Sequence, residues 1–326
     1  MSVTTATGSP RQPKRAHRPP DFYSLRLPPG YLRPRFWVTW FALGLLRFGV
    51  FLPLGVARWL GALWGWMFLL VNAKRRRIAR INLAMCFPEL STQERRRLLR
   101  KHFVSVGKSY ADLGFLAWAP KARLARSARL VGLEHLDGAA RRGKNVILLV
   151  PHCLGVNYAS IIARHHAVFS MFKPPHDAVV DWFLNEGRVR FGAALLSRQQ
   201  GMRPVVRALK RGMAFYYIPD EDFGPERSVF APFFGVVTAT LPTLGRLAKM
   251  ADAVVIPVSI RMLPGGAGHE LVLGPALAEF PTGNLNEDAA RMNAALEQSI
   301  RDAPEQYMWT LKLFKTRPDN GPSPYA

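Results

Sequence analysis

The most constraining feature of this chain is its stretch 36–73, FWVTWFALGLLRFGVFLPLGVARWLGALWGWMFLLVNA, in which charge occurs only at Arg47 and Arg58. The two arginines divide it into uncharged runs 36–46, 48–57 and 59–73. A helix that crosses a bilayer cleanly needs about 20 apolar residues, and no run reaches that length. An arginine at the bilayer centre is penalised by about 3 kcal/mol on insertion scales. Pro53 adds a kink. The pattern predicts one tilted or broken anchor, or a shallow hairpin lying in the interface with Trp37, Trp40, Trp59, Trp64 and Trp66 at headgroup depth. The alternative is a pair of core-packing helices in a soluble domain.

Charge narrows the class further. The chain carries 45 Lys and Arg against 22 Asp and Glu, a formal net charge of +23, yet 49% of its residues are hydrophobic. A disordered basic tail would be poor in apolar residues, and a polytopic transporter would need several long uncharged runs. Nucleic acid and anionic lipid are the natural partners of such a surface. The tryptophan-rich segment and an acidic block near residue 220 speak for a membrane and against nucleic acid. Lys74, Arg75, Arg76, Arg77 and Arg80 follow the apolar segment and outnumber Arg33 and Arg35 before it. The positive-inside tendency then puts the bulk of the chain on the cytoplasmic side. Cys86 and Cys153 are the two cysteines, too few for a disulfide framework or a Cys-x-x-Cys metal site, and no metal is expected.

Four segments emerge. Residues 1–35 read as a flexible basic arm, rich in proline; 36–73 as the membrane anchor or interfacial helices; 74–317 as the main domain; 318–326 as a loose tail. Residues 74–130 have helical character, broken at Pro88, with Ser91-x-x-Glu94 forming a capping box for the next helix. Short apolar runs at 145–150, 214–218 and 253–260 are fit for buried strands. Helical patterns lie between and around them, near 156–166, 178–191, 201–211 and 239–251. Strands alternating with helices predict an α/β domain with a mostly parallel central sheet flanked by helices.

Three places can carry chemistry. His152 directly follows the first buried strand, where ligands bind in open α/β sheets, and Asn157 lies five residues on, within reach of the imidazole if a helix starts there. A histidine so placed can take a proton from an attacking hydroxyl. Asp220, Glu221 and Asp222 follow the second strand and can hold a cation or orient a hydroxyl-rich group. Arg188 and Arg190, with Lys173 upstream, have the character of a phosphate or carboxylate clamp. No glycine-rich phosphate loop and no Gly-x-Ser-x-Gly elbow occurs. Cys153, beside His152, is a candidate nucleophile, although a free cysteine is more often a small buried hydrophobe.

At these residues the sequence resembles the late acyltransferases of lipid A biosynthesis, the lauroyl and myristoyl transferases of Gram-negative bacteria. The resemblance runs over roughly 35–325. It is carried by the blocks at 75–90, around His152, at 218–225, at 228–235, at 303–309 and at 314–318. It implies an inner-membrane protein with a cytoplasmic active site and an acyltransferase reaction without cofactor, in which acyl-acyl carrier protein is the co-substrate. The acceptor is a Kdo-bearing lipid A precursor, an anionic glycolipid, acylated on the hydroxyl of a hydroxyacyl chain already present. His152 is then the general base, Arg188 or Arg190 meets oxyanion charge or a substrate phosphate, and Asp220 and Asp222 position the acceptor. The family pattern of His, four residues, then Asp or Glu is broken at Asn157. Either Asp220 or Asp222 substitutes for the missing carboxylate, or the chain is a slow or inactive paralogue that binds lipid or carrier protein. A different membrane-lipid acceptor is the further alternative.

Overall fold

A computed structural model describes residues 22–24, 26–27 and 29–326. Most of the expected N-terminal arm lies outside the described residues. In chain order the helices and strands are α1 (Trp37–Gly49), α2 (Leu54–Val71), α3 (Ala73–Cys86), α4 (Thr92–Trp118), α5 (Lys121–Arg126), β1 (Ala128–Val131), α6 (Leu133–Arg141), β2 (Asn145–Leu149), β3 (Val168–Phe172), α7 (Ala178–Val189), β4 (Ala194–Ser197), α8 (Arg203–Lys210), β5 (Ala214–Tyr217), β6 (Val229–Phe233), β7 (Val236–Thr240), α9 (Thr243–Ala251), β8 (Ala253–Met262), β9 (His269–Leu273) and α10 (Leu285–Arg301).

Seven strands form one sheet in the order β1-β9-β8-β2-β5-β3-β4. The five from β8 to β4 are mutually parallel, and the β1–β9 pair runs against them because β9 meets β8 antiparallel. Strand β2 is central, with Val146, Ile147, Leu148 and Leu149 all buried, as its unbroken apolar run requires. Helices cover both faces, so the mixed α/β layout expected from the sequence is the one observed. The capping box forms: the Glu94 amide donates to Ser91 Oγ at 3.2 Å and the Ser91 amide to Glu94 Oε2 at 2.7 Å. The segment expected to be α-helical near 156–166 is a 3-10 helix over Val156–Arg164, which opens on the tight turn Gly155 to Tyr158.

The apolar segment becomes two helices, α1 and α2, joined through Pro53. Arg123 ties the corner, donating to the carbonyls of Val50 and Leu52 at 2.6 and 2.7 Å. Helix α2 packs lengthwise on α4 through glycines. A Cβ on Gly61 would stand 2.5 Å from the Gly107 carbonyl oxygen, and one on Gly65 would stand 2.3 Å from that of Phe103. Small residues four apart let two backbones approach this closely. Arg58 points into this interface. It pairs with Asp112 at 2.8 Å and donates to the carbonyls of Leu263 and Gly268 at 2.9 and 3.0 Å. So Arg58 does not interrupt a lipid-facing surface, as a reading of hydropathy alone expects; it faces protein.

The other face of the pair is apolar and exposed. Val38, Phe41, Leu45 and Phe48 of α1 and Val56, Trp59, Leu60, Leu63, Met67 and Leu70 of α2 repeat at three- and four-residue intervals. That is an amphipathic pattern turned outward. By length and composition α2 is able to cross a membrane, and it is the one such helix among the described residues.

The described part of the arm and the tail depart from the sequence reading. Of the arm, Phe22 and Tyr23 pack on the β3–β4 edge: the Tyr23 amide donates to Leu195 O at 2.8 Å and its hydroxyl to Asp181 at 2.6 Å. The tail expected to be loose is anchored, because Tyr325 is buried and its hydroxyl donates to Asn82. Proline and glycine limit the tail to one 3-10 turn, Pro318–Asn320, but leave one large aromatic residue free to plug the core.

Candidate active site

The sheet register builds the centre of the site. Strands β2 and β5 are parallel neighbours, with Leu149 opposite Tyr217. Three residues beyond each stand His152 and Asp220, each directly preceded by a proline, Pro151 and Pro219. Proline has no N–H to continue a ladder, so both strands stop at the same level and both chains turn out at the carboxyl end of the sheet. The last ladder bond is Val150 N to Tyr217 O at 3.0 Å.

There Asp220 is locked from three sides. It accepts from the His152 amide at 2.8 Å and from the Tyr307 hydroxyl at 2.9 Å, and its other oxygen lies 2.6 Å from His152 Nδ1. The Asp220 side chain is 4% exposed and that of His152 15%. The second ring nitrogen, Nε2, lies 3.3 Å from Glu221 Oε1, and Arg198 donates to the other oxygen of that carboxylate at 2.8 Å. Burial pulls the His152 imidazolium down, but Asp220 and Glu221 outweigh it and raise its pKa to about 9. The His152 contact, with Arg198 beside it, holds Glu221 down at about 2 against the opposing effect of burial.

His152 borders a cavity of about 530 Å³, within the range of ligand sites. One part of its wall is apolar, including Phe169, Met171, Phe172, Leu184 and Leu195 from β3, β4 and α7; the other carries Lys173, Arg188, Arg198 and Glu221. An elongated amphiphile with a polar reactive end matches such a wall. Among the described residues no group of three or more His, Cys, Asp or Glu side chains is arranged to hold a metal ion.

The structure redistributes the residues singled out from the sequence. Asn157 borders the cavity but does not bond His152: its Oδ1 accepts from Arg188 Nε at 2.7 Å. Arg188 also donates to Asn185 Oδ1 at 3.1 Å, and Asn185 in turn to Asp181 at 2.9 Å. The Arg188 guanidinium is thus held by two neutral amides. Its burial lowers its pKa, and Asp181 compensates from a distance. Lys173 sits exposed on the cavity wall. Arg190 and Asp222 leave the site. Arg190 donates to Leu116 O at 3.0 Å, and Asp222 accepts from the Thr316 amide and hydroxyl at 2.6 and 2.8 Å, pinning the C-terminal segment. For Asp222 the reason is local: the chain bends at Glu221, so Asp220 and Glu221 face His152 while Asp222 turns to the C-terminal segment. Cys153 is buried and its thiol is pushed up to about 12, which deprives it of the thiolate a nucleophile needs.

Sequence reasoning missed Arg198 and Tyr307 as site residues, and took Glu221 only as one of three acids for a cation or a hydroxyl-rich group, not as a partner of His152. Glu221 stood in the acidic block and Tyr307 in the 303–309 block, but neither spacing says which ring atom or oxygen each will meet.

Comparison with known proteins gives one consistent result. The family of bacterial lipid A biosynthesis acyltransferases matches residues 27–316. A lipid A biosynthesis lauroyltransferase of Escherichia coli (strain K12) is 36% identical over 296 residues, spanning 90% of this chain and 96% of its own length. The palmitoleoyltransferase of the same organism is 33% identical over 290 residues, 88% of this chain and 94% of that one. Its lipid A biosynthesis myristoyltransferase is 31% identical over 299 residues, 90% of this chain and 92% of that one.

Proposed function

Because the chain belongs to the bacterial lipid A biosynthesis acyltransferase family, we propose that it moves a fatty acyl chain from acyl-acyl carrier protein to the hydroxyl of a hydroxyacyl chain on a Kdo-bearing lipid A precursor. The single observation that carries this reading is the Asp220–His152 pair at the edge of a cavity that is apolar on one side and cationic on the other. The reaction needs no metal and no cofactor. Asp220 fixes the ring through Nδ1 and leaves Nε2 for the acceptor. The acceptor hydroxyl displaces Glu221 from Nε2 and gives its proton there. The freed oxygen attacks the thioester carbonyl, a carbon–oxygen bond forms, and the negative charge on the carbonyl oxygen meets Arg188. The carbon–sulfur bond then breaks, and the imidazolium returns its proton to the departing thiolate. The acyl chain rests against the Phe169 and Leu195 wall, and Lys173 and Arg198 receive anionic groups of the substrates.

Asn157 then ceases to be a defect. The carboxylate that a histidine base requires is Asp220, and position 157 serves Arg188 instead. The exposed apolar face of α1 and α2 suits a substrate that stays in the bilayer, and the basic first turns of α3 support a catalytic domain on the cytoplasmic side of the inner membrane. The net charge of +23 favours the acidic carrier protein as well as the anionic glycolipid. The direct test is transfer by the purified protein from acyl-acyl carrier protein to a Kdo-bearing precursor. Transfer that disappears in His152→Ala supports the reading; transfer that is undiminished in that variant refutes it.

A further inference from the structure

A second cavity, of about 550 Å³, opens between the end of α2 and the facing sides of α3 and α4, and none of its lining residues borders the catalytic cavity. Arg76 and Arg80 project into it from α3 and Arg96 and Arg100 from α4, each pair one helical turn apart. Trp66 and Leu70 form its apolar side and belong to the outward face of α2. Arg76 is fixed by the last carbonyls of α2, donating to Leu69 and Leu70 at 2.5 and 2.8 Å. Arg80, Arg96 and Arg100 are exposed and have no acidic partner among the described residues. Four guanidiniums thus converge on one groove without a counter-charge, an arrangement that an oxyanion relieves through paired N–H donors.

The geometry points to a binding site for the phosphate of an anionic bilayer phospholipid in this groove, separate from the site of acyl transfer. The groove continues the apolar face of α2 at the end where the chain turns basic, so a lipid seated there lays its first methylenes on Trp66 and Leu70 and its phosphate among the arginines. An acidic protein partner would use the same charge but would leave those walls uncovered. This assignment rests on the reading that the α1–α2 face enters a membrane, and the experiment separates the two.

The full-length protein is floated with phosphatidylcholine vesicles and with phosphatidylcholine vesicles containing phosphatidylglycerol, at physiological salt. The expected result is binding to both, tighter by about tenfold or more on the phosphatidylglycerol vesicles. That gain is lost in the triple variant R80A/R96A/R100A and kept in R141A/R142A/R211A, which removes the same charge from exposed positions elsewhere. A gain that survives in the first variant, or falls equally in both, overturns the site and leaves the membrane reading standing. No binding to either vesicle overturns both. A first variant that keeps its gain but needs more acyl-acyl carrier protein for half-maximal transfer assigns the groove to the carrier protein and overturns the lipid site.

Discussion

At residue scale the site separates two carboxylate jobs that a sequence motif merges. Asp220 holds the imidazole; the residue at 157 holds an arginine. Asp220→Asn removes the charge that stabilises the imidazolium, and the comparable change in a serine protease triad lowers the rate by about 10⁴. Asn157→Ala removes one hydrogen bond to Arg188, a loss of about tenfold. Measuring kcat for both variants checks the assignment, and equal losses would contradict it. Glu221 gives a pH test with a definite sign. A pKa raised to about 9 keeps the resting imidazole protonated below that pH, so kcat/KM should rise as pH approaches 9. Glu221→Gln removes one of the two carboxylates that raise it, so the acidic limb should move to lower pH. A limb that stays in place or moves upward would show that Glu221 does not act on Nε2. The placement of His152 and Asp220 at the carboxyl end of the sheet was legible in the sequence because each comes shortly after a buried strand. The partner of Asn157 was not, because the helical-turn argument assumed an α-helix, whereas a 3-10 helix carries Asn157 toward Arg188.

At the scale of elements, α2 is held to the domain by contacts that hydropathy does not reveal. A Cβ on Gly107 would stand 2.0 Å from the Gly61 carbonyl oxygen, so Gly107→Ala must push α2 away from α4. The expected loss is about 1–3 kcal/mol, as for other overpacked interiors, read as a lower midpoint of denaturant unfolding. Arg58→Ala leaves Asp112 buried without its guanidinium, a loss of about 3–5 kcal/mol. Unchanged midpoints in these two variants would mean that α2 is not docked on α4. The strands at 145–150, 214–218 and 253–260 could be read from the sequence because burial on both faces, complete over 146–150 and 214–217 and partial over 253–260, makes them nearly continuous apolar runs. The edge strands β1 and β4 and the inner strand β9 could not, since β1 and β4 are four residues long and Arg129 in β1 and His269 and Glu270 in β9 interrupt the apolar pattern.

For the whole molecule, the fold presents one apolar face, one basic groove beside it, and a cavity at the carboxyl end of the sheet. The proposed acyltransferase reading uses the apolar face and the cavity, one for an acceptor held in the membrane and the other for transfer; the groove belongs to the separate lipid site. Replacing Phe41, Phe48, Leu63 and Leu70 together by serine should release the protein from vesicles while leaving its thermal unfolding near that of the parent, since all four side chains are exposed. Retention on vesicles would contradict the membrane-facing assignment. The central claim, that the Asp220–His152 pair acylates a lipid A precursor, is tested most directly by the mass of lipid A from cells lacking the chain and resupplied with the parent, His152→Ala or Asp220→Asn. The account predicts that the parent restores one acyl chain and that neither variant does so. Restoration by His152→Ala, or lipid A that does not change when the chain is removed, would contradict it.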